Sequence, residues 1–279
     1  METRELRYFV AVAEELHFGR AAERLQISQP PLSRAVQQLE RRLGVTLLDR
    51  GSRGVSLTAA GAVLLEEGRA ALGAVEAAER RTLRAAGDRP QVVLAAKAGA
   101  SSELLAKLLD AYGTEPGAVH VEALICGPGE QETFLRDGRA DVALLHIPFD
   151  SIQGLDVEEL CTEGQVLVLP AGHPLTTRPQ LRLAEAVDVP DLPAARWPHA
   201  DGTYVDGPGP KVRDHTQLLQ LVGLGRTCVV LPESVVPHLT DDLVAVPVPD
   251  ATPVTTVIAW LPHSRSRAVA DLVRTAVRL

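Results

Sequence analysis

The chain has 279 residues, 46% of them hydrophobic and 23% charged, a globular composition with room for two domains. No eighteen-residue stretch is free of charge, so no membrane-spanning helix is expected. Glu2, Arg4, Glu5 and Arg7 stand where a secretion signal needs an apolar core, so none is expected. The net charge of −8 is unevenly spread: residues 1–90 hold 14 Arg, no Lys and 12 acids, whereas residues 91–279 hold 14 basic and 24 acidic residues. Such asymmetry points to two modules with different partners.

A first helix is predicted over about Thr3–Glu15, with Leu6, Phe9, Val10, Ala13 and Leu16 on one face. A short helix follows over Phe18–Leu25, where Ala21 and Ala22 allow close crossing. Gln26-Ile27-Ser28 reads as a tight turn, with Ser28 as N-cap and Pro30-Pro31 in the first turn of a third helix that ends at Gly44. Leu32, Val36, Leu39 and Leu43 form its buried stripe, which leaves Ser28, Gln29, Pro30, Ser33, Arg34 and Gln37 outward. Two short helices joined by such a turn have helix-turn-helix geometry, and these outward groups can bond base edges and phosphates. A three-helix bundle with a solvated polar face fits the helix pattern equally well. The continuation separates the two: Thr46–Arg50 and Val55–Leu57 read as strands about the turn Gly51-Ser52-Arg53-Gly54. That hairpin is a wing with Arg50 and Arg53 at or near its tip, where arginine can enter a minor groove or clamp phosphate.

The runs Phe9–Ala13, Phe18–Leu25, Ser28–Arg34, Leu39–Gly44, Leu47–Arg50 and Leu57–Gly61 together resemble the signature of the LysR-type transcriptional regulators, almost without gaps over residues 3–61. The Gln-Pro-Pro-Leu-Ser-Arg version is most similar to that of regulators of aromatic-compound degradation. The resemblance implies DNA contacts at Gln29, Pro30, Ser33, Arg34 and Arg53; Gln37 and Arg50 join them by position. It also implies a pseudo-palindromic double-stranded DNA site, self-association as a dimer or a tetramer of two dimers, RNA polymerase as a further partner, and a small-molecule effector.

Thr58 opens a predicted helix to about Ala86, about 43 Å long at the usual rise. Leu64, Leu65, Ala71, Leu72, Val75, Ala78 and Thr82 recur near heptad spacing, which suits pairing of helices from two chains. Gly61, Gly68 and Gly73 weaken this helix and mark close contact or a bend. Gly87-Asp88-Arg89-Pro90 reads as a hinge. The expected divisions are a winged helix-turn-helix over 1–58, a linker and hinge over 59–90, and an effector domain over 91–279. Within the last, subdomain I spans about 91–162 and 251–279, and subdomain II about 163–250.

From Gln91 strands alternate with helices: strands at Val92–Ala96, Val119–Ile125 and Asp141–Ile147, and helices from Ser101/Ser102 to Tyr112 and over Glu130–Asp137. A second set comprises Val166–Leu169, Leu181–Ala186, Thr216–Leu224, Cys228–Leu231 and Leu243–Val246. Val254–Leu261 and Arg265–Val277 return to the first. The expected class is α/β, two doubly wound subdomains forming a periplasmic-binding-protein-like domain with a cleft between them. Ligands in such sheets bind beyond the carboxyl ends of strands. That rule nominates Lys97–Ser102 and Gly127–Glu130, with Ser101, Ser102 and Gly129 as effector contacts, and an anionic effector is expected. Trp197, His199, Thr203, Tyr204 and Thr227 are the candidates from subdomain II. Ser101 and Ser102 as plain N-caps, and Trp197 and Tyr204 as packing residues, fit as well. Gly207-Pro208-Gly209-Pro210 cannot form a helix, so subdomain II is expected to be trimmed.

No HExxH, complete GxGxxG or Walker pattern occurs, so no metal, nucleotide or other cofactor is expected, and no catalytic role. Cys126, Cys161 and Cys228 lie 35 and 67 residues apart, which suits a reducing cytoplasm and makes no evident redox pair.

Overall fold

The computed structural model describes residues 1–51, 54–86, 90–197, 203–204 and 206–279. The chain divides into two units, Met1–Thr82 with Arg136–Gly138, and Leu83–Leu135 with Arg139–Leu279.

In the first unit, α1 (Thr3–Glu15), α2 (Phe18–Arg24) and α3 (Gln29–Leu43) close around Phe9, Val12, Ala21, Leu32, Val36 and Leu39, all fully buried. His17 starts α2: its Nδ1 accepts from the amides of Gly19 and Arg20 at 3.0 and 3.2 Å. The turn into α3 is held by Ile27 N donating to Ala22 O at 3.0 Å, with Gln26 at φ 56°. Ser28 occupies the N-cap of α3, but its side chain caps nothing. A capping oxygen accepts from the second or third amide of the helix; here those positions are Pro30 and Pro31, which have none.

The wing pairs β1 (Leu48–Gly51) with β2 (Gly54–Leu57) antiparallel, Leu48 opposite Leu57 and Arg50 opposite Val55. Glu40 in α3 anchors it, its Oε1 accepting from Leu47 N and Leu48 N at 2.9 and 3.2 Å. The linker helix α4 (Ala59–Ala85) begins at Thr58, whose hydroxyl donates to Thr46 O at 2.8 Å and accepts from Gly61 N at 3.0 Å. A Cβ on Gly61 would lie 2.0 Å from Leu47 O. One on Gly68 would press on Leu6 and Val10, whereas Gly73 has room. Two of the three glycines therefore mark close contact. Glu14 binds the helices together through Arg24 at 2.7 Å and Arg69 at 2.8 Å.

In the second unit, β3 (Gln91–Lys97), β4 (His120–Cys126), β5 (Val142–Ile147), β6 (Asp156–Glu163) and β10 (Val254–Trp260) form one sheet in the order β4-β3-β5-β10-β6. β3 runs parallel to β4 and β5, and β10 antiparallel to β5 and β6. Strand β6 is absent from the sequence-based expectation: its burial alternates without an apolar run, and it adds as an edge. Helices α5 (Ser102–Gly113) and α9 (Arg267–Val277) cover one face through Leu108, Tyr112 and Leu272. Helix α6 (Glu130–Arg136) covers the other through Phe134 and Leu135.

The smaller sheet holds β7 (Gln165–Pro170) between β8 (Val229–Pro232) and β9 (Leu243–Pro247), with α7 (Leu183–Ala186) and α8 (His215–Gly223) around it. The mixed α/β class stands, but the doubly wound reading needs correction here. β7 is antiparallel to both neighbours, and parallel pairing on this side is limited, among the described residues, to the bridges Ala194–Cys228 and Arg196–Lys211. β7 is the strand on which the chain enters this lobe directly from β6, and it inserts between β8 and β9 running against both. Gly207–Pro210 form no helix; Gly209 lies so close to Ala194 O that a Cβ would meet it at 1.8 Å. The two chain crossings between lobes are tied by Gln165 Nε2 donating to Thr252 O at 2.7 Å.

Gly61→Ala is expected to destabilise the first unit by on the order of 2 kcal/mol, because a backbone oxygen cannot step aside; denaturant melts followed at α4 will show it. Glu14 gives a pH-dependent test. Burial raises its pKa, but hydrogen bonds from Arg69 and Arg24 outweigh burial and hold it below the ordinary 4.5. Its stabilisation is therefore complete above that value and fades as pH falls through the lower folded-state value. Glu14→Gln should cost about 1 kcal/mol at neutral pH, and the gap to the parent chain should close in acid.

Candidate nucleic-acid interface and effector cleft

On α3, Gln29, Pro30 and Arg34 are exposed and Ser33 and Gln37 half-buried; Pro30, Arg34 and Gln37 lie on the face away from Leu32, Val36 and Leu39, with Ser33 at its flank and Gln29 exposed at the start of the helix. Arg34 Nε lies 3.4 Å from Pro30 O, a contact loose enough to yield to a base or phosphate. Arg50 stands in β1 one residue before the wing's turn, and its side chain is engaged within the unit. Its guanidinium stacks 4.7 Å from the centre of the Phe18 ring, and Nη2 is 3.5 Å from Glu40 Oε2. It braces the wing against α2 and α3, because its place opposite Val55 turns it back toward the core. Arg53 lies outside the described residues.

The second unit carries a cavity of about 670 Å³ between its two lobes. The larger lobe brings to it Lys97 at the end of β3, Gln131 on α6, His146 in β5 and Asp150 in the loop that follows; the smaller brings Trp197, His215, Cys228 and β8. Among these, Asp150 is the electrostatic centre. Lys97 Nζ lies 3.1 Å from both its oxygens, and His146 N donates to Oδ2 at 2.8 Å. The Asp150 side chain is 6% exposed and that of Lys97 17%. Burial pushes the Asp150 carboxyl up, but hydrogen bonding to His146 and the charge of Lys97 outweigh it and hold the group below the ordinary carboxylate value. His146 continues the chain: Nε2 is 2.8 Å from Ser101 Oγ, and Nδ1 is 3.4 Å from Asp150 Oδ2.

Ser101, His146 and Asp150 thus stand in the order of a nucleophilic relay. However, Ser101 is buried and does not line the cavity, and Asp150 is already neutralised by Lys97, so this trio presents no nucleophile to a substrate. Gly99, at φ 75°, lets the loop after β3 pass under His215 across the cleft; a Cβ there would lie 2.6 Å from the ring. Burial also lowers the His215 pKa, with His238 adding to the shift and Asp214 opposing it, so the ring is neutral at pH 7.

The remaining sequence candidates fall in varied places. Gly129 (φ 77°) and Trp197 line the cavity. Ser101 holds His146 from behind, its hydroxyl bonded to the imidazole and not capping α5; Ser102 is exposed at the start of α5. Thr227 is fully buried and donates to Pro193 O at 2.7 Å, a staple within the lobe. Tyr204 receives Lys211 Nζ 5.0 Å over its ring, and neither it nor the exposed Thr203 lines the cavity. His199 lies outside the described residues. Sequence reasoning missed Gln131, His146, Asp150 and His215. The loop rule pointed to Lys97, but nothing in the spacing joined it to a carboxylate 53 positions on.

Cys126 and Cys228 are buried, and burial pushes both thiols up to about 11, with Glu130 adding to the shift at Cys126. Both are fully protonated at neutral pH, which opposes redox reactivity. Among the described residues there is no cluster of metal-ligating side chains, and no helix is long and apolar enough to cross a membrane.

A winged helix-turn-helix unit in one chain with a two-lobed cleft unit defines a DNA-binding regulator that responds to a small molecule. Residues 3–62 match the bacterial regulatory helix-turn-helix proteins of the lysR family, and residues 85–278 match the LysR substrate binding domain. The chain belongs to the LysR family of transcriptional regulators. It is 31% identical to the Hca operon transcriptional activator HcaR of Escherichia coli (strain K12), over 98% of this chain and 96% of that one. It is 38% identical to the HTH-type transcriptional regulator AlsR of Bacillus subtilis (strain 168), over 71% of this chain and 66% of that one. Similar solved structures include full-length BenM, with a TM-score of 0.53 and 27% identity over 100% of this chain and 96% of that one. Full-length CbnR complexed with its target DNA gives a TM-score of 0.54 and 27% identity over 100% and 99% of the two chains.

Asp150→Asn tests the electrostatic centre. It strands the largely buried Lys97 ammonium, so it should destabilise the second unit by on the order of 3 kcal/mol. Because the native carboxyl pKa is depressed, the penalty is full above the ordinary value of 3.8 and shrinks only as pH falls below it; thermal melts carried from neutral pH to well below that value check both.

Proposed function

We propose that α3 reads base edges through Gln29, Ser33, Arg34 and Gln37, with Pro30 against the backbone and Arg53 reaching a groove or phosphate from the wing. What supports this is the exposed polar face of α3, which no described part of its own unit covers. Arg50 acts by holding the wing in place. A pseudo-palindromic operator needs two reading heads, so the working species is at least a dimer, and RNA polymerase is a further partner.

The cleft between the lobes takes a small organic anion. The single observation that carries this is the cavity itself, closed on one side by apolar and aromatic residues and on the other by Lys97. An ammonium has three protons; Asp150 engages at most two, so one remains for a ligand carboxylate. Asp150 also keeps the charge of Lys97 balanced when the cleft is empty.

Arg34→Ala should weaken binding to a duplex selected from a random pool by about 1–3 kcal/mol and flatten base preference at one position. Equal loss on every duplex, read by fluorescence anisotropy, would show that Arg34 only touches phosphate. Light scattering with and without DNA tests the dimer. A rise in melting temperature of the full chain with small carboxylates, absent in Lys97→Met, tests the anion site.

A further inference from the structure

Gln131 is a polar side chain with no accessible surface, standing on α6 where that helix lines the cleft cavity. Its Nε2 donates to Leu144 O at 3.4 Å. A carbonyl oxygen accepts only, so this bond fixes which end of the amide is which and leaves Oε1 as a committed acceptor. Oε1 has no hydrogen-bond partner among the described residues. A buried acceptor left unpaired costs free energy, and native chains keep few of them. A leucine or methionine would fill the same volume beside Phe134 and Leu135 without that cost.

No other described polar group of the floor bonds Oε1. Lys97 is held on Asp150, and His146 is tied to Ser101 through Nε2 and faces Asp150 through Nδ1. The partner of Gln131 must therefore come from the contents of the cavity.

We propose that Gln131 is the specificity-determining residue of the cleft, and that the effector is a hydroxylated organic acid whose O–H donates to Gln131 Oε1. The proposal rests on the anion reading above: Lys97 takes the carboxylate, Gln131 takes the hydroxyl, and the apolar wall takes the carbon skeleton. A site built to bond a hydroxyl rejects the analogue that lacks it, because its buried acceptor is then left unpaired.

The experiment is calorimetric titration of the full chain and of Gln131→Met with benzoate, its 2-, 3- and 4-hydroxy forms, butanoate and 3-hydroxybutanoate. In the parent chain at least one hydroxylated acid should bind at least tenfold tighter than its unhydroxylated parent. Gln131→Met should erase that gap by weakening the hydroxylated member alone. It should also leave the ligand-free melting temperature unchanged or higher, since the unpaired acceptor is gone. A gap that is absent, or that survives in Gln131→Met, overturns the proposal. So does a lower ligand-free melting temperature, which would make the amide a structural bond. Binding of parent and hydroxylated acids with equal affinity leaves the anion site standing while removing the hydroxyl, whereas no heat from any of the six removes the anion site as well.

Discussion

Strand β3 sends Val92, Leu94 and Ala96 into one hydrophobic layer and Val93 and Ala95 into the other. A strand buried on both faces has no place along its length for a charge. Polar chemistry can leave this sheet only at strand ends, and the parallel pairing of β3 with β4 and β5 brings three such ends to one side. Lys97, Cys126 and His146 stand there, at or next to the last residues of their strands. The cleft follows from that constraint, since the chain crosses into the smaller lobe at Gly164 and returns before Val254 on the same edge.

The chain Lys97–Asp150–His146 links charged and polar groups of the cavity wall by direct bonds and is held from behind by Ser101. Its first pair makes burial of the second residue tolerable: Asp150 stays ionised because an ammonium and a backbone amide both face it. The two buried thiols near the cleft go the other way, protonated because burial outweighs what their surroundings offer a thiolate. The same low-dielectric surroundings therefore keep one acid charged and two thiols neutral, and partners decide which.

In the first unit, the two prolines of α3 remove the amides that Ser28 would cap, so the start of the reading helix presents hydroxyl and amide side chains outward and does not turn them on itself. Glu40 works from the opposite end of the helix, bonding the amides of Leu47 and Leu48 so that the wing keeps a fixed place beside it. Arg50 adds to that brace through Phe18 and Glu40.

How much of this is legible in the sequence depends on range. Helices α1 to α3, their ends and the wing are readable because each rests on contacts within a few residues: apolar spacing, Pro30-Pro31, Gly44 and the Gly51–Gly54 turn. The course of β3 and β5 is readable as apolar runs. Strand β6 is not, because an edge strand half open to water carries no such run. The antiparallel course of β7 against β8 and β9 is not, because it depends on where the strand entering this lobe inserts among strands far along the chain. Gln131, His146, Asp150 and His215 have no local mark; they meet only when strand ends and two lobes are brought together. The sequence alone determined the helix-turn-helix, the wing and the strand–helix rhythm, whose causes are local. Tertiary structure decided the cleft, the buried ion pair and the unpaired Gln131 carbonyl, since each arises from residues far apart in sequence sharing one dry volume.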